Sequence, residues 1–285
     1  MVGAGRWHVL QGTRTRRLRI PPFRRRELPS IYLAVLVFGL VVPLLPPLAM
    51  PDVPITAPLL APEPAPAPPP VQVQLVAPAP VVPRTALLNK LSDSHTIALT
   101  FDDGPDPRWT PKILEILQRH GAVATFCMVS KNAAGHEALV KQVVDAGMRL
   151  CDHSRTHDEQ LPDRDPARIA DEVVGAQDTL TAAAGGDSVE WFRAPGGNWS
   201  TDVATLSAEH GMQPLSWNVD PRDWERPGVA AIVAAVQQQI RQQAPDGPIV
   251  LLHDGGGPRE QTVDALEQLI PWLAEQGYRF GFPVP

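Results

Sequence analysis

Short apolar runs alternate with amphipathic, helix-length segments over residues 92–285. The apolar runs predict seven strands, at residues 96–101, 123–129, 148–151, 189–192, 213–219, 249–253 and 278–282. The amphipathic segments predict helices near residues 111–119, 136–146, 166–184, 201–210, 228–243 and 260–275. Most apolar runs do not alternate with polar residues, which is typical of parallel strands covered on both faces. The pattern therefore predicts an α/β fold with a closed or nearly closed (β/α) barrel, and an open doubly wound sheet is the alternative.

The first 91 residues follow a different pattern. Residues 28–50 contain no charged residue, and they predict a transmembrane anchor, which we favour, or the apolar part of a cleaved signal sequence. Prolines within this stretch would bend or end a helix in its outer third. Residues 51–83 hold twelve prolines, so we predict that residues 51–91 form an extended, polyproline-like linker to the domain at 92–285.

Charge is segregated in the same way. Residues 1–27 form a basic tail with eight arginines, whereas the chain as a whole has 25 basic and 31 acidic residues. A basic segment beside an apolar one stays in the cytoplasm, so we expect the acidic domain to be exported. It would be held at the cell membrane by a single span, or secreted after signal cleavage. This distribution indicates membrane topology rather than a nucleic-acid partner.

The two cysteines exclude a disulfide scaffold and a cysteine-based zinc finger. Cys127 and Cys151 fall on neighbouring predicted strands. Because adjacent parallel strands offer awkward disulfide geometry, we expect buried free thiols, with a disulfide as the alternative.

Charged and imidazole groups follow five predicted strands at their carboxyl ends. They are Asp102 and Asp103, then His153 and His157, then Arg193, then Asp220 and Asp223, and last His253. The carboxyl ends of barrel strands meet at one rim, where the active sites of such barrels lie. The sequence therefore predicts an active site at this rim.

Two histidines four residues apart can share a metal if a third ligand joins them, and a rim carboxylate such as Asp103 would serve. Asp102 would then be free to remove a proton from water, and Arg193 could keep that carboxylate ionised. His253 could protonate a leaving group, with Asp220 or Asp223 tuning it. Taken singly, each residue also fits an ordinary structural role, such as a turn or a solvated loop.

Five segments resemble, in order, the motifs of the polysaccharide deacetylases, the NodB-like enzymes of carbohydrate esterase family 4. They are TFDDGP (100–105), HSRTH (153–157), RAPGG (193–197), DPRDW (220–224) and LLH (251–253). The resemblance covers residues 96–281. It implies a distorted (β/α) barrel and a metal-dependent hydrolase that removes N- or O-linked acetyl groups.

The resemblance also implies roles for the first three motifs. Asp102 is the catalytic base, and Arg193 positions it. The metal ligands are Asp103, His153 and His157. The metal is a divalent ion, most often zinc, with cobalt or another transition metal possible.

The later motifs supply the rest of the implied site. His253 is the general acid, supported by Asp220 and Trp224. A backbone N–H near Gly196 stabilises the oxyanion, although the family often has a bulky residue, commonly tyrosine, at this position. Trp199 and Trp224 fall on predicted rim loops, and we expect both to contact the sugar.

The function predicted from the sequence is deacetylation of N-acetylated cell-surface glycans. Peptidoglycan N-acetylglucosamine or N-acetylmuramic acid is favoured, because the anchor and linker would place the domain near a cell wall. Chitooligosaccharides and acetylxylan are alternative substrates. A catalytically silent glycan-binding module is the alternative from another class. The expected partners are an acetylated polysaccharide and the membrane; we expect neither nucleic acid nor an obligate protein partner.

Overall fold

The computed structural model describes residues 85–242 and 247–284. The predicted basic tail, apolar segment and most of the proline-rich linker lie outside these residues. Within the described part of the chain, no helix has the length and apolar character needed to span a membrane. The last residues of the predicted linker pack on the barrel, because Leu88 forms a bridge with Leu215 and Leu91 forms one with Gly247.

Seven parallel strands form the sheet: β1 (Thr96–Asp102), β2 (Ala124–Met128), β3 (Arg149–Asp152), β4 (Trp191–Phe192), β5 (Gln213–Pro214), β6 (Ile249–His253) and β7 (Arg279–Phe280). Their order is β5-β4-β3-β2-β1-β6, and β7 pairs with the start of β1. Beyond β5 the chain forms a further parallel bridge, Val219 to Val250 of β6. The strand order and this bridge match the predicted distorted (β/α) barrel.

Seven helices accompany the strands in the described residues: α1 (Thr110–Arg119), α2 (Ser130–Gly135), α3 (Glu137–Asp145), α4 (Pro166–Ala183), α5 (Thr201–Glu209), α6 (Val229–Gln242) and α7 (Glu260–Glu275). Local sequence explains several of their starts. Asp165 caps α4 by accepting a hydrogen bond from the Arg168 N–H, with Pro166 at the first helical position. Ser200 caps α5 in the same way.

Side chains alternate between two cores along each strand. Phe101, Phe126 and Phe192 belong to the main core, which includes apolar side chains from all seven helices. The intervening positions face the other way, and Cys127 and Trp191 belong to a second cluster without helical residues. Because strand side chains point to opposite faces in turn, this second cluster lies inside the barrel. Continued toward the rim, the inward positions include Asp102, His153, Arg193 and His253.

The prediction of free thiols is wrong, because Cys127 and Cys151 form a disulfide. The two residues are directly opposite each other in the parallel pair of β2 and β3. Both side chains point into the barrel, so their sulfur atoms meet there.

Candidate active site

The carboxyl ends of the strands surround a cavity of about 770 Å³. Most of the predicted site residues line it: Asp102, Asp103, His153, His157, Gly196, Asp220, Trp224 and His253. Arg193 lies beneath it, fully buried. Residues separated by up to 151 positions in sequence are thus brought to one rim by the parallel order of the strands.

Asp102 and Arg193 form a buried ion pair at the base of the cavity. The Arg193 Nη1 donates to Asp102 Oδ1 at 2.7 Å and to Thr100 Oγ1 at 2.9 Å. Burial works against ionisation of Asp102, but the charge and hydrogen bond of Arg193, with a contribution from His253, outweigh it and lower the pKa of this carboxyl. Asp102 is therefore an ionised carboxylate at neutral pH, as a base must be.

The Asp103 carboxylate faces the two histidines of the loop after β3. Asp103 Oδ1 lies 3.6 Å from His153 Nε2 and 3.2 Å from His157 Nε2. The potential ligand atoms of these three residues all lie within 4.8 Å of one another. The backbones of Asp103 and His157 adopt left-handed conformations, with φ of 73° and 58°, a strained arrangement that is concentrated at functional sites.

The chemistry of these three residues fits a divalent cation. Asp103 Oδ1 is buried and has no hydrogen-bond donor. His153 Nδ1 donates to the Arg193 carbonyl oxygen at 2.8 Å, which leaves the Nε2 lone pair facing the cavity, 3.6 Å from both Asp103 Oδ1 and Asp102 Oδ2. Burial lowers the pKa of His153 and so favours the neutral ring that binds metal. A cation would satisfy these converging acceptors.

His253 lies across the cavity from the histidine pair, and its partner is Asp223. Its Nδ1 donates to Asp223 Oδ1 at 2.7 Å, and Asp223 Oδ2 accepts from the His253 N–H and from Thr262 Oγ1. Burial opposes protonation of His253, but the hydrogen bond and charge of Asp223 outweigh it and raise the pKa of the imidazole. The ring can therefore carry a proton, with Nε2 left free.

The direct hydrogen-bond partner of His253 is Asp223, and Asp220, which the sequence predicts to support this histidine, acts on it through charge. Asp220 Oδ1 accepts the Arg222 N–H at 2.8 Å, and its main chain is bonded to the Gln239 side chain. The left-handed residue Arg222 then turns the chain so that Asp223, not Asp220, lies beneath the imidazole. Asp220 lines the cavity wall instead, and burial raises the pKa of its carboxyl.

The two predicted sugar-binding tryptophans have different positions. Trp224 is 45% exposed and lines the cavity, with the Arg222 guanidinium over its ring. Trp199 is not among the residues that line this cavity: its partly buried ring packs edge-on against Phe192 and against the main core. Trp217, which the sequence placed inside a strand, lines the cavity instead.

Glycines shape the wall beside Trp217. Gly196 lines the cavity with a φ of 61°, in the left-handed region that favours glycine. A Cβ on the next residue, Gly197, would lie 2.8 Å from the Trp217 ring. The chain can pass this close only because side chains are missing.

Several cavity residues carried no signal in the sequence. Arg259 is buried, and its Nη2 lies 3.8 Å from Asp103 Oδ2. Asn132 donates to the Asp103 carbonyl oxygen at 3.0 Å. Lys131 and Glu159 also line the cavity. All four follow the strands at some distance and belong to none of the five motifs; only the general rule that barrel loops build the rim pointed to their region.

Comparisons with known proteins agree with this geometry. Residues 89–215 match the sequence profile of the family described as polysaccharide deacetylase. A chitooligosaccharide deacetylase of Bradyrhizobium sp. (strain ANU 289) is 39% identical over 206 residues, which cover 68% of this chain and 91% of that protein. A peptidoglycan-N-acetylglucosamine deacetylase of Bacillus cereus is 39% identical over 197 residues, covering 66% of this chain and 86% of that protein. The crystal structure of a pseudoenzyme of carbohydrate esterase family 4 from Bacillus anthracis superposes with a TM-score of 0.63 at 28% identity, over 71% of this chain and 68% of that one.

Proposed function

Because the chain belongs to the polysaccharide deacetylase family, a family of hydrolases, we propose that it removes acetyl groups from N-acetylated cell-surface glycans in a metal-dependent reaction. One observation carries this proposal. A buried carboxylate with a lowered pKa, a converging set of potential metal ligands and an imidazole whose pKa is raised by a carboxylate partner all face a single cavity.

The residues divide the reaction between them. A divalent cation held by Asp103, His153 and His157 would polarise the acetyl carbonyl and lower the pKa of the attacking water. Asp102 accepts the proton of that water, and Arg193 keeps the carboxylate oriented. Backbone N–H groups near Gly196 stabilise the oxyanion.

Collapse of the tetrahedral intermediate needs an acid. His253 supplies the proton from Nε2 to the sugar nitrogen, because Asp223 holds the ring by its other nitrogen and favours its charged form. Acetate and a free amine are the products. An amine is a poor leaving group without that proton, so the His253–Asp223 pair suits N-deacetylation.

Peptidoglycan is the substrate we favour, and chitooligosaccharides and acetylxylan are the alternatives. The Bacillus cereus relative acts on peptidoglycan N-acetylglucosamine by its name, and the Bradyrhizobium relative on chitooligosaccharides. The predicted anchor and linker favour the cell wall between these two. We propose accordingly a single-pass membrane protein with its catalytic domain outside the cytoplasm, with secretion after cleavage as the alternative. Protease access to a carboxyl-terminal tag on intact cells would test that topology.

The test of activity is acetate release from a panel of peptidoglycan, chitooligosaccharides and acetylxylan, with and without added zinc. We expect release that stops when a chelator is added. Asp102→Asn should retain the metal and lose turnover, whereas His157→Ala should lose metal affinity as well. Full activity of Asp102→Asn would show that another group is the base.

A binding module without activity is the second candidate, since a related fold occurs in a pseudoenzyme. The intact base, ligands and acid of this chain favour catalysis. Binding of an acetylated glycan with no acetate release from any member of the panel would decide for the module.

A further inference from the structure

A buried carboxylate outside the catalytic set holds the loop that carries both histidines. Glu172, on α4, is fully buried, a rare environment for a charged side chain. Its carboxylate does not reach the cavity. Its Oε2 accepts the Thr156 N–H at 2.8 Å, and its Oε1 accepts the Thr156 hydroxyl at 2.6 Å.

Arg168 completes this contact from the same helix, with Nη2 at 2.5 Å from Glu172 Oε1. The charge of Glu172 is therefore paired, as a buried charge must be. The backbone of Glu172 also takes part, because its carbonyl oxygen accepts the Arg155 N–H at 3.0 Å. One residue of α4 thus holds two consecutive residues between the histidines.

The rest of the loop is tied at every amide. The His153 N–H donates to the Met128 carbonyl, the Ser154 N–H to the Asp152 carboxylate and the His157 N–H to the Ser154 hydroxyl. Glu172 supplies the acceptors for the two remaining amides. These contacts hold a segment in which Ser154 and His157 are both left-handed, a conformation that non-glycine residues keep only when their surroundings enforce it.

We propose that Glu172 is a positioning residue that fixes His157 relative to His153 and Asp103, and thereby sets the affinity of the site for its metal. The inference rests on the metal dependence proposed above. Thr156 is adjacent to His157, so loss of its hydrogen bonds to Glu172 would free the backbone that orients the His157 imidazole. His157 is the more exposed of the two histidines and depends most on its loop.

The neighbouring residue on the same helix offers a matched control. Asp171 also binds arginines, with Oδ1 paired to Arg155 and Oδ2 lying 3.2 Å from Arg168 Nη1. Asp171 is 41% exposed, however, and its bonds are to side chains rather than to the loop backbone. Asp171→Asn therefore removes a carboxylate from the same place without releasing the loop.

The test is zinc affinity of the full metal-free chain in mild detergent, measured by isothermal titration calorimetry. The cobalt(II) absorption spectrum and the thermal midpoint are recorded alongside. We expect Glu172→Ala to weaken zinc binding about 10–100-fold and to alter the cobalt spectrum, as loss of an outer contact typically does. Glu172→Gln, which keeps one acceptor, should fall between Glu172→Ala and wild type. Asp171→Asn should stay within about twofold of wild type, in keeping with the small energies of exposed ion pairs.

The outcomes separate this inference from the proposed function. A lower thermal midpoint with unchanged zinc affinity in Glu172→Ala would overturn the positioning role and leave the metal site standing. Absence of zinc binding in wild type would overturn both. Should Glu172→Ala fail to fold, Glu172→Gln and Thr156→Val decide in its place: at least a threefold loss of affinity supports the role, and wild-type affinity in both overturns it.

Discussion

Replacing Arg193 with methionine should be among the most costly single changes in this protein. Its guanidinium is fully buried and donates to Asp102, to Thr100 and to the Ser216 and Leu215 carbonyl oxygens. Methionine has a similar length but no donor, so Asp102 would remain buried without its counter-charge. Removing one partner of a buried ion pair costs about 3–5 kcal/mol, a large part of the 5–15 kcal/mol that stabilises a typical protein.

The pH dependence of this loss identifies its cause. In wild type the pKa of Asp102 is below its ordinary value, so the pair stabilises the fold above the pKa of the unfolded chain, about 3.9, and that contribution is lost as pH falls through the lower folded value. In Arg193→Met, no positive charge offsets the effect of burial on Asp102, so the pKa of this carboxyl rises. When the solution is acidified, Asp102 takes up a proton and the cost of its buried charge disappears. The deficit of the variant should therefore be largest near pH 7 and shrink toward about pH 4.

Urea denaturation with a chelator present measures this directly, because metal binding then adds nothing to stability. Asp102→Asn, alone and combined with Arg193→Met, completes a double-mutant cycle, and we expect the two losses to overlap by about 1–3 kcal/mol. A loss below about 1 kcal/mol for Arg193→Met at pH 7, or a deficit of equal size at pH 7 and pH 4, would refute the assignment of a buried ion pair at this position.

Three further outcomes are expected. Asp223→Asn should lower the pKa of His253, because the hydrogen bond and the charge that raise this pKa are weakened. The alkaline limb of the pH profile of acetate release should then move to lower pH. Asp220→Asn should move that limb less. Trp224→Ala should raise KM several-fold and change the free energy of unfolding by no more than about 0.5 kcal/mol, because the ring is exposed on the cavity wall. Trp199→Ala, in contrast, should destabilise the fold and leave KM near the wild-type value. Dialysis against a chelator should abolish acetate release, and added zinc should restore it.

The regular parts of the fold were predictable because their signals are local. β1 and β6 are continuous apolar runs, and their predicted positions agree with the structure to within one residue. β5 is shorter than predicted because the chain beyond it bonds elsewhere: the Ser216 N–H donates to the Leu88 carbonyl, whose own N–H donates to the Pro214 carbonyl, and Val219 forms a bridge with Val250 of β6. Leu88 lies in a segment whose composition predicts a linker, so no local pattern could reveal that pairing.

The residues of the site also divide into those that local sequence predicts and those that it does not. Residues that end strands, such as Asp102 and His253, were predictable from position and chemistry together. The choice between Asp220 and Asp223 was not, because it depends on one left-handed residue, Arg222, in the loop between them. The role of Glu172 was not predictable either, because this residue lies within a helical pattern, where a charged residue normally faces solvent.

The alternation of side chains along the strands restricts how this protein can vary. Asp102 faces the barrel interior and Phe101, one position earlier, faces the helices. A single residue inserted into β1 would exchange these faces, sending a carboxylate into the apolar layer and an aromatic ring toward the metal ligands. Insertions in the loops beyond the rim carry no such penalty. Length changes among related chains should therefore be confined to those loops, where they can reshape the sugar-binding wall while the chemistry beneath stays constant.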